Sequence, residues 1–565
     1  MRRHALLALL ALSCADEKEP TTGGGGDDGA TVDDTDSTGG DDTGGGDDTG
    51  EPDPDPIDPC VALGLEARDF DATAPSAYQR RQPAGDFSVP LTDGTTWTLS
   101  EQWSGCDVYA FVPNWFEISP LDNRSFWETD LEDLVDASPK NAHYFFVVGQ
   151  AVFGSAEEEA SAMAARIDAL LIELDEEDRA WWSDRLHVVD GTPAAYDGLV
   201  SEMFQTDVGV FGWTIDRDQQ IRGMGYMADV TAYDRALADA GEWPYEMRLF
   251  PVSHEVKYLN FEHERAARLD AQGATLVPVF GGDVVAEYVD GAMVLPDAAT
   301  MATFDSLEIE VIMECPNKDS YEINNCGAWD YLAYLWLYDE ATESYVEMGR
   351  FITSYHRENH WVVDGTHALA WLQDGGTRQV RFLWAPPWNT QPTGVTLQLR
   401  LFNQGKGMAP REAVPLFTGG AFNTAYNDRT PVEVAVPTDA AKVELRAIIT
   451  GHGMEANNCA EFCKHGHHFT VGSTTASLEF DEAGTNRGCE KTADSGTMPN
   501  QAGTWWYGRG GWCPGREVEP FIYDFSAEAA AGSTVSVSYA ATLDGGDPID
   551  GAGNIEMRSW AVIYK

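Results

Sequence analysis

Ser306-Leu-Glu-Ile-Glu-Val-Ile-Met313, the loop from Glu314-Cys-Pro-Asn-Lys318 to Cys326-Gly-Ala-Trp-Asp330, and Tyr331-Leu-Ala-Tyr-Leu-Trp-Leu-Tyr338 make one unit. Two apolar runs of strand length flank a turn-rich segment whose two cysteines look paired, so the unit reads as strand, stapled loop, strand. The texture recurs to the end of the chain. Val380–Trp384, Gly394–Phe402, Val443–Thr450 and Thr534–Ala541 are further short apolar runs set between Gly, Pro and Asn turns. Strands at this density without long helices predict β-sandwiches. The segment is large for one, so two packed jelly rolls are expected, 276–412 and 413–565, with the break inside Met408-Ala-Pro-Arg-Glu-Ala-Val-Pro415. Asp544–Glu556, rich in Asp and Gly, reads as a turn.

Three charged residues in this region stand beside cysteines: Asp330 after Cys326, Glu461 between Cys459 and Cys463, and Arg509 ahead of Cys513. Short disulfide loops fix backbone more tightly than ordinary loops, which suits groups that must be held in position. Asp330, Glu461 and Arg509 are therefore the candidate catalytic residues.

Upstream, residues 60–245 alternate strand and helix patterns: Phe87–Val89, Trp97–Leu99, Val108–Val112 and Tyr144–Val148 as strands, Ala156–Leu174 as a long amphipathic helix. An α/β domain is expected. Residues 246–275, with a polar helical stretch from Leu259 to Ala271, read as a connector. The phrases Gly85-Asp-Phe-Ser-Val-Pro-Leu-Thr-Asp-Gly94, Val108-Tyr-Ala-Phe-Val-Pro-Asn-Trp115 and Trp213-Thr-Ile-Asp-Arg-Asp-Gln-Gln-Ile-Arg222 together resemble a thioredoxin or peroxiredoxin-like domain. In that family a redox cysteine pair follows the tryptophan, where the helix dipole activates a thiolate. Here the sequence is Trp115-Phe-Glu-Ile-Ser119, which lacks cysteine, so the resemblance implies the fold without the redox chemistry. Cys60 and Cys106 then read as a structural disulfide.

The chain opens Met-Arg-Arg-His, then an apolar run from Ala5 to Leu12, then Ser13-Cys14. That is the order of an export signal, and the run is too short to span a bilayer. It resembles a bacterial lipoprotein signal in which Cys14 is lipidated, with Ala11 where leucine is usual; Asp16, third from that start, leaves the outer membrane open. Residues 15–59 carry sixteen Asp or Glu against Lys18 in a Gly, Thr and Pro background, the composition of an extended, self-repelling tether. The expected location is the bacterial cell envelope, on an outer-membrane lipoprotein facing the periplasm or the exterior. A net charge of -57 argues against nucleic acid as a partner. With 565 residues, 43% hydrophobic, the chain has enough apolar content for about three domains. The eight cysteines beyond Cys14 are an even set that suits an oxidising compartment.

The runs Glu314-Cys-Pro-Asn-Lys318, Trp329-Asp330, Met348-Gly-Arg-Phe-Ile-Thr353, Cys459-Ala-Glu-Phe-Cys463 and Gly511-Trp-Cys-Pro-Gly515 resemble, in order and spacing, the peptide-N-glycosidase F family. The resemblance covers about 276–565. It implies two eight-stranded jelly rolls with the active site between them, and hydrolysis of the amide joining N-linked glycans to asparagine, giving aspartate and a glycosylamine. The implied substrate is an N-linked glycopeptide or glycoprotein, with no cofactor and no metal. Asp330 matches the family's essential aspartate, Glu461 a glutamate that positions substrate or water, and Arg509 a polar or electrostatic clamp. The pairings implied are 315 with 326, 459 with 463 and 489 with 513, leaving Cys60 with Cys106. Metal-free amide hydrolysis needs such a set: a carboxylate to activate water or protonate the leaving nitrogen, a complementary group, and a donor for the oxyanion. Asp330, placed before an apolar strand, is expected to be partly desolvated.

Three positions depart from the family. No carboxylate appears in Phe382-Leu-Trp-Ala-Pro-Pro-Trp388, where the family carries a second active-site glutamate; the arginine after the essential aspartate is Tyr331; and a glycan-side tryptophan is His452. These leave a catalytically silent glycan-binding lipoprotein as one competing reading. A second comes from His452, Met454, His465, His467 and His468 around Glu461. Imidazole with thioether is a copper-type ligand set, and the sandwich pair resembles that of copper-dependent peptidylglycine monooxygenases. His465 and His467 share a strand face that would converge with His452. The plainer reading of these histidines is hydrogen-bonded strand residues.

Overall fold

The computed structural model describes residues 58–75, 77–114, 126–149, 154–206, 208–209, 211–240, 245–340, 342–453 and 456–565. The leader with Cys14, the tether up to residue 57, residues 115–119 and Met454 lie outside the described residues. No helix among those described is long and apolar enough to cross a membrane.

The α/β unit is built on Val108–Pro113 and Ala142–Val147, two strands buried along their whole length. They pair in parallel, with Leu186–Val188 parallel beyond the second; Trp213–Ile215 and then Ile221–Gly223 continue antiparallel on the other side. The period-2 alternation assigns Tyr109, Phe111 and Phe145 to one face, against Trp97 and Met203, and Val108, Val112 and Phe146 to the other. A central sheet covered on both faces needs such continuous apolar runs. Helix Ala156–Glu173 covers the second face through Met163, Ile167 and Leu170, and begins in a capping box between Ser155 and Glu158.

The stretch expected as a connector is part of this core. Helix Val252–Ala271 buries Val252, Val256 and Leu259 in the same cluster as the sheet. Its polar residues are buried as well, His254, Glu255, Glu262 and Arg265 among them. Its polarity does not mark a solvent face, because His254, Glu255 and Arg265 meet charges on the second half of the chain and Glu262 meets Arg222 of the α/β unit.

That half contains four four-stranded antiparallel sheets. Strands between Thr275 and Phe402 make the first pair, whose facing apolar residues, such as Leu307, Ile309, Leu335, Phe382 and Leu397, form one core. Strands from Pro410 to Tyr564 make the second pair around Val434, Leu445, Phe469 and Met557. Both are β-sandwiches. The turn expected over Asp544–Glu556 ends early, since the last strand, Asn554–Tyr564, runs through the centre of its sheet. The sandwiches meet through Ile352, Ile448, Trp512 and Val562, and through Arg350, whose Nη1 donates to Thr450 Oγ1 (2.8 Å) and the Glu556 carbonyl (2.6 Å).

The α/β unit docks on the sandwiches through buried ions. Glu358 accepts from Arg80 Nη2 at 3.1 Å, Arg81 Nε at 3.2 Å and the Cys315 amide at 3.0 Å. Beside it, Arg357 lies between Glu255 (2.9 Å) and Glu322 (2.5 Å). Burial opposes ionisation of Glu358, but Arg80, Arg81 and Lys318 outweigh it and hold the carboxyl well below the usual range. A carboxyl depressed in the folded state contributes stability above its unfolded value, near 4.5, and loses it as acid protonates it. Glu358→Gln, which leaves arginines without their counter-ion, should cost about 3–5 kcal/mol near neutral pH. In thermal unfolding the gap to the parent protein should narrow as pH falls below about 4.5.

Four disulfides close the described chain: Cys60–Cys106, Cys315–Cys326, Cys459–Cys463 and Cys489–Cys513. Non-reducing peptide mapping should recover these four pairs; free thiols at Cys60 and Cys106 would contradict the staple in the α/β unit.

Candidate active site

Asp330 stands between the Cys315–Cys326 loop and strand Leu332–Asp339. Thr353 brackets its backbone: the buried hydroxyl accepts from the Tyr331 amide and donates to the Trp329 carbonyl, each at 2.7 Å. Side-chain direction is thereby set from both sides of Asp330. Tyr355, in the loop that follows strand Ser344–Ile352, donates its hydroxyl to Asp330 Oδ2 at 2.7 Å.

Glu461 and Arg509 come from the second sandwich. Glu461 lies in the single turn Cys459–Phe462, closed by its own disulfide and entered through Asn458 in the left-handed region, φ 48°. Its Oε2 accepts from the Gly453 amide at 2.8 Å and its Oε1 from Arg509 Nε at 2.9 Å. The Arg509 side chain is fully buried. Nη1 donates to the carbonyls of Thr504 (3.0 Å) and Tyr507 (3.1 Å), Nη2 to Tyr355 Oη (3.2 Å) and Thr504 Oγ1 (3.3 Å). Nη2 also lies 3.7 Å from Asp330 Oδ2. The guanidinium is thus flanked by both carboxylates, with Trp512 and Phe462 rings 4.9 and 5.2 Å from its centre.

All three residues singled out in the sequence meet, across the junction of the two sandwiches. Arg509 has an acceptor for each of its five N–H groups, so it clamps the two carboxylates and Tyr355 and not an incoming oxygen. Tyr355 was missed, although it lies two residues beyond Met348-Gly-Arg-Phe-Ile-Thr353; a hydroxyl reaching back 25 residues leaves no periodic trace. Thr504 was missed likewise. Its backbone and hydroxyl both grip Arg509, a function of loop shape and not of local pattern.

The region lacking the second carboxylate is aromatic. Trp384 is buried, with its indole N–H on the Val285 carbonyl (2.9 Å), and meets Tyr331 edge-on at 5.7 Å. Trp388, 63% exposed, meets the same tyrosine at 5.5 Å.

The histidines do not gather. His465 Nδ1 and His467 Nε2 are 2.9 Å apart, and His467 Nδ1 bonds Tyr539 Oη at 2.6 Å. His468 is occupied with Ser477 and Thr542. His452 stacks on Trp512 and bonds Thr450 Oγ1 at 2.8 Å. Burial, then the nearby Arg350 and Arg509, lower His452 to about 3, so it is neutral at physiological pH. The expected convergence of His465 and His467 with His452 is corrected by these partners: among the described residues no three His, Cys, Asp or Glu side chains are grouped to hold a metal.

Residues 421–562 match the family model described as peptide-N-glycosidase F, C terminal. Over 281 residues the chain is 25% identical to the peptide-N(4)-(N-acetyl-beta-D-glucosaminyl)asparagine amidase F of Elizabethkingia miricola, covering 46% of this chain and 73% of that protein. A solved peptide-N(4)-(N-acetyl-beta-D-glucosaminyl) asparagine amidase superposes with a TM-score of 0.44 at 19% identity, over 52% of this chain and 96% of its own. A solved glycosylasparaginase, PNGase F of Flavobacterium meningosepticum, gives 0.41 at 20% identity, over 52% and 96%.

Arg509→Leu should lower the unfolding free energy by about 3–5 kcal/mol, because it leaves two carboxylates at the junction without their cation. Tyr355→Phe removes two hydrogen bonds to charged groups and should cost about 2–3 kcal/mol. Chemical denaturation of the two variants beside the parent protein measures both.

Proposed function

We propose that this protein is an amidase of the peptide-N-glycosidase F family that releases N-linked glycans from asparagine in glycopeptides or glycoproteins. The observation that carries the reading is the Asp330 carboxylate held by Tyr355 and faced by the buried Arg509–Glu461 pair, at the junction of the two sandwiches. The family match over 421–562 and the identity to an asparagine amidase over 281 residues support it.

In the proposed reaction water adds to the side-chain amide carbon and the C–N bond breaks, leaving aspartate on the peptide and a glycosylamine. Asp330 is the principal catalytic carboxylate, moving a proton between water and the leaving nitrogen. Tyr355 and Arg509 hold one of its oxygens, which fixes the orientation of the other and spares reorganisation during the reaction. Glu461, tied to Gly453 and Arg509, positions substrate or water.

The finer parts of the proposal concern placement. The leader ending at Cys14 and the acidic tether support a lipid-anchored envelope protein, in the outer membrane and facing the periplasm or the exterior. The five-stranded mixed sheet supports a thioredoxin-like unit retained for its fold, with Cys60–Cys106 as its staple. Two sandwiches of eight strands each support the jelly-roll assignment, with strand Pro410–Ala421 moving the break from the expected 412/413 to before Pro410. The aromatic side beneath Asp330, without a second carboxylate, is the feature that favours glycan binding without turnover.

Incubation with a panel of N-glycopeptides, with mass detection of asparagine converted to aspartate, tests the reading. Turnover should survive exhaustive chelation, since the roles assigned rest on carboxylates and not on a Lewis acid. Asp330→Asn should reduce it by at least about a hundredfold. Glu461→Gln should cost less, because its amide oxygen still accepts from Arg509. Full activity in Asp330→Asn refutes the mechanism, and binding of glycopeptides with no turnover in the parent protein establishes the binding-lipoprotein alternative.

A further inference from the structure

The guanidinium of Arg509 is gripped by carbonyls of the loop 498–508, which contains no regular strand or helix. A loop of that length, without ladder hydrogen bonds, takes its shape from what surrounds it. On one side it faces the site: Gly503, at φ +68°, lies so close on the Tyr355 ring that a Cβ there would fall 2.6 Å from it. On the other side its partners come from the α/β unit and the helix that follows. Tyr245 donates its hydroxyl to the Gly503 carbonyl at 2.7 Å, and its ring meets Trp506 edge-on at 5.5 Å. The Tyr226 amide donates to the Asn500 carbonyl at 2.8 Å, and Asn500 Nδ2 donates in turn to the Pro251 carbonyl and to Glu255. The Gly225 backbone approaches so closely that a Cβ there would come 2.0 Å from the Asn500 oxygen.

We infer that the α/β unit is a working part of the active site: Tyr245, through the Gly503 carbonyl, is a positioning residue that holds the 498–508 loop in the shape that seats Arg509 and Tyr355 beside Asp330. The inference rests on the amidase reading for its kinetic consequence. Its structural consequence stands alone. The Gly503 carbonyl is the junction between the two, since the same residue contacts Tyr355 and immediately precedes Thr504, whose carbonyl and hydroxyl hold Arg509. Loss of the Tyr245 hydroxyl leaves the ring against Trp506, so it loosens the loop without emptying the aromatic core.

The test uses the full chain carrying Tyr245→Phe. Amide hydrogen exchange of the peptide spanning 498–510 should quicken by about tenfold, the size expected for one buried hydrogen bond, while exchange in the two sandwich cores stays unchanged. With an N-glycopeptide as substrate, kcat should fall by about the same factor at unchanged KM. In an Arg509→Lys background, Tyr245→Phe should add little, because the two act on one unit. Unchanged exchange in 498–510 overturns the clamp whatever the activity does. Quickened exchange with parental kcat, or a kcat loss that multiplies in full on Arg509→Lys, overturns the positioning role. A parent protein without turnover refutes the amidase reading, and the exchange result then decides the clamp by itself.

Discussion

Arginine does not shed its proton inside a protein, so burying Arg509 obliges the fold to supply acceptors for five N–H groups and a counter-charge. The contacts around Arg509 meet that obligation. Glu461 provides the charge on one side and Asp330 on the other, and they belong to different sandwiches. The ion therefore joins the two halves and fixes their carboxylates at the same time. An ion pair buried this way is a poor source of stability, since desolvation offsets most of the attraction. Its value lies in orientation: two carboxylates that would each sample several rotamers in water are held by one planar, rigid donor.

The same economy governs the second junction. Arg80, Arg81 and Arg357 meet Glu358, Glu322 and Glu255 between the α/β unit and the first sandwich. Glu358 also holds the amide of Cys315, the first residue of the disulfide loop that leads to Asp330. The charges that dock the unit thus reach the backbone on which the site is built, and Arg357 also donates to the Pro499 carbonyl of the 498–508 loop at 2.7 Å. A unit attached through a smooth apolar face would be free to pivot. One attached through paired, directional charges is held at one angle, because each displaced ion would be left buried and unpaired.

What was legible in the sequence had a local signature. Alternating or continuous apolar runs located Val108–Pro113, Ser306–Glu314, Leu332–Asp339 and Lys442–His452 to within a residue or two. Asp330, Glu461 and Arg509 stood out because cysteines mark them, and the structure brings those three together. Helix Val252–Ala271 was misread as a polar connector: its Glu255, Glu262 and Arg265 are balanced by residues such as Arg222, Arg357 and Glu517, far away in sequence. Composition alone cannot separate a solvated charge from one paired across an interface. Tyr355 and Thr504 were invisible for the same reason, since their importance is a matter of which loop they happen to face. The histidines were overread in the opposite sense. Strand spacing put His465 and His467 on one face, but each imidazole found its partner there, in the other ring and in Tyr539.

The aromatic side of the site bears on how a carboxylate can work there without a second one behind it. Tyr331, adjacent to Asp330, is held edge-on between Trp384 and Trp388, and its hydroxyl approaches Asn389 at 3.3 Å. The indole N–H of Trp384 is already committed to a backbone carbonyl. The proposed reaction assigns proton movement to the groups that share Arg509. Of these, Glu461 is tied through both oxygens, one to Arg509 and one to the Gly453 amide. Asp330 has one oxygen committed to Tyr355 and Arg509. In the proposed mechanism Asp330 is the reacting group and Glu461 the positioning one, and the same guanidinium holds both.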